Sequence, residues 1–203
     1  MRIVAGEWRG RRLVAPPGST TRPTADRVRQ AVFDILMHAE WAGRAAIDGA
    51  AVIDVFAGTG ALGLEALSRG AASACFIESD AVALKALRAN VIACRAGERA
   101  EILAVDVLKV AAIQPAVMAM VRQASPGSSS PRPDPAASLV FLDPPYGQTL
   151  VPRALTRLRD VGRIRPDALI IAEIGRDEPW RPDQPLLAER QHGAATVLMF
   201  RAR

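Results

Sequence analysis

The chain has 203 residues, 50% hydrophobic and 23% charged, enough for one sizeable core and too apolar to be disordered as a whole. Gln114 and Pro115 interrupt the best apolar run, residues 110–121, and Glu7, Trp8 and Arg9 stand where a leader's apolar stretch would begin. Neither a membrane span nor a signal peptide is expected.

Cys75 and Cys94 form no CxxC and no metal spacing, so no disulfide framework and no metal site are expected, and a reducing cytoplasm is. The net charge is +5, and the first thirty residues account for it. They hold seven arginines, Arg2, Arg9, Arg11, Arg12, Arg22, Arg27 and Arg29, against Glu7 and Asp26. Such a local patch on a non-basic body suits a phosphate-bearing partner.

Residues 3–5 and 12–15 read as two short strands around a Gly- and Arg-rich turn, followed by a loop at Pro16-Pro17-Gly18. A basic hairpin over residues 1–20 therefore precedes a main domain over residues 21–203. Residues 24–37 read as a helix, with Val28, Ala31, Val32, Ile35 and Leu36 at helical spacing and Thr24 as its cap.

From Ala51 strands and helices alternate. Strands are expected at 52–56, 74–77, 101–105, 139–142 and 168–174, and helices at 62–68, 82–94 and 108–122. Residues 196–201 form a last strand, paired with 186–189 across a turn at His192-Gly193. The alternation predicts an α/β fold with a doubly wound, mostly parallel sheet, and the closing hairpin an antiparallel edge. Residues 125–138, rich in Pro and Ser, read as a mobile surface insertion.

After the first strand of this series comes Asp54-Val55-Phe56-Ala57-Gly58-Thr59-Gly60-Ala61-Leu62-Gly63. G-x-G-x-x-G between a strand and a helix lets the backbone approach an adenosine-containing ligand. Glu78, ending the next strand, suits the two ribose hydroxyls. The charge of Asp54 chooses between ligands: it would repel a pyrophosphate and attract an α-ammonium. The loop therefore favours S-adenosylmethionine (SAM) over NAD. Asp106, after the third strand, either reaches the adenine or caps the helix that follows.

The fourth strand ends in Asp143-Pro144-Pro145-Tyr146. The Asp143 carboxylate and the Pro144 carbonyl are acceptors for the two hydrogens of an exocyclic amine, and Tyr146 is a ring to stack on its base. Held this way, the amine's lone pair is directed toward a methyl donor, so catalysis rests on alignment and electrostatics.

Residues 1–36, with Arg-Ile-Val-Ala-Gly-Glu-Trp-Arg-Gly-Arg-Arg-Leu and Arg-Pro-Thr-Ala-Asp-Arg-Val-Arg-Gln-Ala-Val-Phe, resemble the N-terminus of the bacterial 16S rRNA guanine-N2 methyltransferases of the RsmD type. Residues 54–71 and Leu-Asp-Pro-Pro-Tyr are similar to that family's SAM loop and catalytic motif. The resemblance implies a class I SAM-dependent methyltransferase fold, Rossmann-like and seven-stranded, with a β-hairpin extension. It implies methylation of a guanine N2 in small-subunit ribosomal RNA, within an assembled particle. A monomer is expected. Arg9, Arg11, Arg12, Arg22, Arg27 and Arg29 would then grip the RNA. Related four-residue motifs also serve adenine-N6 transfer, which stands as the alternative; the short chain leaves it little room for a target-recognition region.

Overall fold

The computed structural model describes residues 1–16, 23–112, 136–145 and 149–203, with the backbone alone at 23–26. Among these residues seven strands form one sheet: β1 (Ala51–Val55), β2 (Ser73–Glu78), β3 (Ala100–Ala104), β4 (Ala137–Leu142), β5 (Ile164–Gly175), β6 (Leu186–His192) and β7 (Ala195–Arg201). Their order is β3-β2-β1-β4-β5-β7-β6. β1 to β5 run parallel, and β7 lies antiparallel between β5 and β6.

The helices among the described residues are α1 (Pro23–His38), α2 (Ala61–Ser68), α3 (Ala81–Ala93) and α4 (Leu150–Asp160). Alternate strand residues point to opposite faces. Val52, Phe76, Leu139, Phe141, Ile171 and Val197 pack with α1, α2 and α3. Ile53, Val55, Ile77, Val140, Leu142 and Ile170 pack with α4. Helices on both faces explain why the central strands read as nearly continuous apolar runs.

Three expectations need correction. Pro23 opens α1, so Thr24 lies within the helix and is not its cap; proline suits a first turn, where its missing N–H goes unused. Of the helix expected at 108–122, the start is a 3-10 turn, Val107–Lys109, with residues 110–112 non-helical, while residues 113–122 lie outside the described ones. Helix α4 is not among the expected elements. It buries Val151, Ala154, Leu155 and Leu158 at helical spacing, but Arg153, Arg157 and Arg159 between them disguise the stripe. Of the insertion expected at 125–138, residues up to 135 lie outside the described ones, while Ala137 and Ser138 begin β4.

The N-terminal hairpin is closed by one antiparallel bridge, Arg2 to Arg12, instead of two full strands. It is held to the sheet layer in two ways. Ile3, Trp8 and Leu13 are buried in the same cluster as α1, α2 and α3. Its backbone also bonds to buried polar side chains. Val4 and Ala5 donate to the Glu65 carboxylate at 2.8 and 3.0 Å. Trp8 donates to Ser68 Oγ at 2.9 Å, and that hydroxyl donates to the Ala5 carbonyl at 2.6 Å. Asn90 accepts from Val14 N–H at 2.7 Å and donates to the carbonyls of Val14 and Thr59. A hairpin too small to be stable alone is thus fastened at both ends. Among the described residues no helix is long and apolar enough to cross a membrane.

Candidate active site

The chain turns outward in opposite directions from the middle of the sheet. β2 lies on one side of β1 and β4 on the other, so the loops leaving their carboxyl ends diverge and open a crevice. The glycine loop leaves β1 and the Asp-Pro-Pro turn leaves β4 at the same level, where Val55 pairs with Leu142. A pocket of about 600 Å³ opens there, and Asp54, Ala57, Gly58 and Asp143 line it.

Three left-handed residues, Phe56, Gly58 and Gly60, with φ of 61°, 54° and 77°, bend the glycine loop. Glycine adopts this conformation freely; Phe56 does so at a cost of order 1–3 kcal/mol. Sequence reading missed that strain, since the phenylalanine reads simply as the end of β1. A side chain at Gly63 would run into the Phe76 ring, so this glycine lets α2 press against β2.

Asp54 is 1% exposed and accepts from Gly63 N–H at 2.8 Å. Burial drives its pKa up to about 8, partly offset by that hydrogen bond and reinforced by the charges of Asp143 and Glu78. Glu78 accepts from three backbone groups: Gly58 at 2.8 Å, Ser79 at 2.7 Å and Asp80 at 2.8 Å. These bonds fix the carboxylate beside the loop and leave part of its acceptor capacity for a ligand. Asp106 caps the 3-10 turn by accepting from Leu108 N–H at 2.9 Å. Neither Glu78 nor Asp106 lines the pocket, and Gly60 is buried at the start of α2.

Asp143 follows β4 directly, and its N–H donates to the Val55 carbonyl at 3.4 Å. The residue is exposed and lines the crevice. The protein around it pushes its pKa up to about 7, chiefly by desolvation and then by the charge of Glu173. Pro144 is buried behind it. Tyr146 lies outside the described residues.

Sequence reading also missed Glu173. On β5, Ala172 pairs with Leu142, so Glu173 stands level with Asp143, and both line the pocket. The signal was present: Glu173 interrupts an apolar central strand much as Asp54 interrupts β1. The wall opposite the sheet comes from Met1, Ala15, Val28 and Arg29, the far side from His192 and Val197. Among the described residues no group of three His, Cys, Asp or Glu stands ready to hold a metal ion.

Of the arginines expected to grip RNA, Arg9, Arg11, Arg12 and Arg27 are exposed, and Arg22 lies outside the described residues. Arg11 donates to the Ala93 carbonyl and so also ties the hairpin to α3. Arg29 is a correction. It is 4% exposed, donates to the Arg2 carbonyl at 2.6 Å, and stands 3.8 Å from Glu65. Its place on α1 turns it inward toward Glu65 of α2 and the wall of the pocket. Arg2 faces Arg12 across the hairpin, a like-charge pairing that an anion would relieve.

Residues 1–201 match the family model described as conserved hypothetical protein 95. The chain is 32% identical to ribosomal RNA small subunit methyltransferase D of Haemophilus influenzae, over 98% of this chain and 93% of that protein. It is 35% identical to the Escherichia coli protein of the same name, over 85% and 74%. A solved structure of the Escherichia coli protein yhhF superposes with a TM-score of 0.74 at 33% identity, covering 100% of this chain and 98% of that one.

Proposed function

The chain belongs to the conserved hypothetical protein 95 family, the RsmD type, and from that premise we propose that it transfers a methyl group from SAM to the exocyclic N2 of a guanine in small-subunit ribosomal RNA. The observation that carries the reading is the meeting of Asp54 and Asp143 in one crevice, at the carboxyl ends of adjacent strands.

The pocket fits the cofactor. Burial raises the pKa of Asp54 to about 8, and an ammonium beside it would restore the ionised form. A pyrophosphate there would instead face Asp54, Asp143 and Glu173, which disfavours a dinucleotide. Asp54 and the backbone of Ala57 and Gly58 would hold the amino-acid end, and Glu78 the ribose. When bound, SAM supplies a methyl group activated by its sulfonium, so no strong base is required.

Asp143 and the Pro144 carbonyl accept the two hydrogens of the amine and hold it in line. Asp143, with a pKa of about 7, then takes the proton that N2 sheds as its new bond to carbon forms. The sequence offers Tyr146 as the ring that stacks on the base. The exposed Arg9, Arg12 and Arg27 engage phosphates and bring a looped-out nucleotide to the crevice.

Incubation with labelled SAM and small-subunit particles, naked rRNA or DNA, followed by nucleoside analysis, tests the proposal. N2-methylguanosine in 16S rRNA is expected. N6-methyladenosine as the product would overturn the choice of base.

A further inference from the structure

We infer that Glu173 selects the base by accepting from the ring N1–H of guanine while Asp143 accepts from its exocyclic amine. This rests on the reading of the pocket as a guanine-N2 methyltransferase site and adds the residue that discriminates. The geometry begins with the sheet. Asp143 and Glu173 are the next residues after the paired Leu142 and Ala172, on neighbouring parallel strands. Alternation puts both on the face of Phe141 and Ile171, and both line the same pocket. The influence of Glu173 on the ionisation of Asp143 is consistent with that closeness.

The chemistry of the bases supplies the rest. A flipped or looped-out base is read along its Watson–Crick edge. In guanine the atom beside the 2-amino group is N1–H, a donor. In adenine and cytosine the ring nitrogen beside the amino group is an acceptor. Two adjacent carboxylates therefore match two adjacent donors, and this is met by guanine alone among the amino-bearing bases. An adenine or cytosine would set its ring lone pair against the Glu173 carboxylate.

The test uses 2-aminopurine, which keeps the 2-amino group but carries an acceptor at N1. The nucleotide that the full-length protein methylates is first mapped. Small-subunit particles are then reconstituted with guanine or 2-aminopurine at that position. The wild-type protein should methylate 2-aminopurine at least about a hundredfold more slowly, as expected for a site built to bond the missing N–H. Glu173→Gln, whose amide N–H can donate to N1, should slow guanine transfer and shrink the guanine-to-2-aminopurine ratio by at least about tenfold, the scale of a misread base edge. SAM affinity should stay within a few-fold.

Equal slowing of both substrates, or an unchanged ratio, would overturn the inference and leave guanine methylation standing. Equal wild-type rates on the two bases would overturn it without any variant. Methylation of a base other than guanine by the wild type would show that the underlying reading had failed first.

Discussion

Two carboxyl groups at the crevice have raised pKa values, and each has a measurable consequence. Asp54 has a folded-state pKa of about 8 against an ordinary value of 3.8. Folding therefore favours its neutral form. That preference costs nothing below pH about 4, where the unfolded chain is protonated too. It costs progressively more as pH rises toward 8. Asp54→Asn keeps an acceptor for Gly63 N–H and removes the titration. Its melting temperature should exceed that of the wild type by several degrees at pH 8, and the gain should fade toward pH 4. SAM binding should weaken in the same variant, as expected where a site is held at the expense of stability. Thermal denaturation over that pH range, with calorimetry at pH 7.5, checks both halves.

Asp143 accepts a proton only when ionised, so single-turnover methylation should rise with pH through about 7 and then level off. Asp143→Asn should lose about 10²–10³-fold in turnover and flatten that profile, with little change in SAM affinity. A profile unchanged by the substitution would remove Asp143 from the proton transfer.

At the scale of elements the N-terminal hairpin has two separable jobs. Its inner side is structural. Gly6 has φ of 82°, and a Cβ there would run into the Ser68 carbonyl. Gly6→Ala should cost roughly 2 kcal/mol or more, read as a lower melting temperature. Removing residues 1–15 would strip Ile3, Trp8 and Leu13 from the core and leave Glu65, Ser68 and Asn90 without their backbone partners. Since Asn90 also holds the Thr59 carbonyl, such a truncation would disturb the glycine loop as well.

The outer side carries Arg9 and Arg12, exposed and open to single substitutions. Replacing both with Ala should leave folding and SAM affinity intact. It should lower the salt dependence of RNA binding by about one unit for each phosphate no longer neutralised. A salt slope that does not move would confine these arginines to solvation of the surface.

Over the whole molecule, the crevice is assembled from parts far apart in the chain: the first residues, the β1 loop, the end of β4, β5 and the β6–β7 turn. A ligand that bridges them stabilises the folded state as a unit. SAM at about a hundred times its dissociation constant should add ~2.7 kcal/mol and raise the melting temperature by roughly 5–10 °C, whereas NAD should have no effect. A shift with NAD and none with SAM would reverse the choice of cofactor.

Much of this was legible in the chain itself. Apolar runs broken by glycine and charge located β1 to β4, because a strand covered on both faces needs apolar residues on both. The glycine loop was readable because only glycine makes a tight strand-to-helix turn with close packing, and Asp143 because two prolines mark the turn after it. Other features depended on residues distant in sequence. Helix α4 was hidden by its arginines, since its buried stripe makes sense only against β4 and β5. The inward turn of Arg29 depended on Glu65, thirty-six positions away. Glu173 became a neighbour of Asp143 only through the β4–β5 register. Local pattern determines which element forms, because backbone geometry and burial act over a few residues. Which charges face one another is decided by how the sheet is ordered, and that is a property of the folded chain alone.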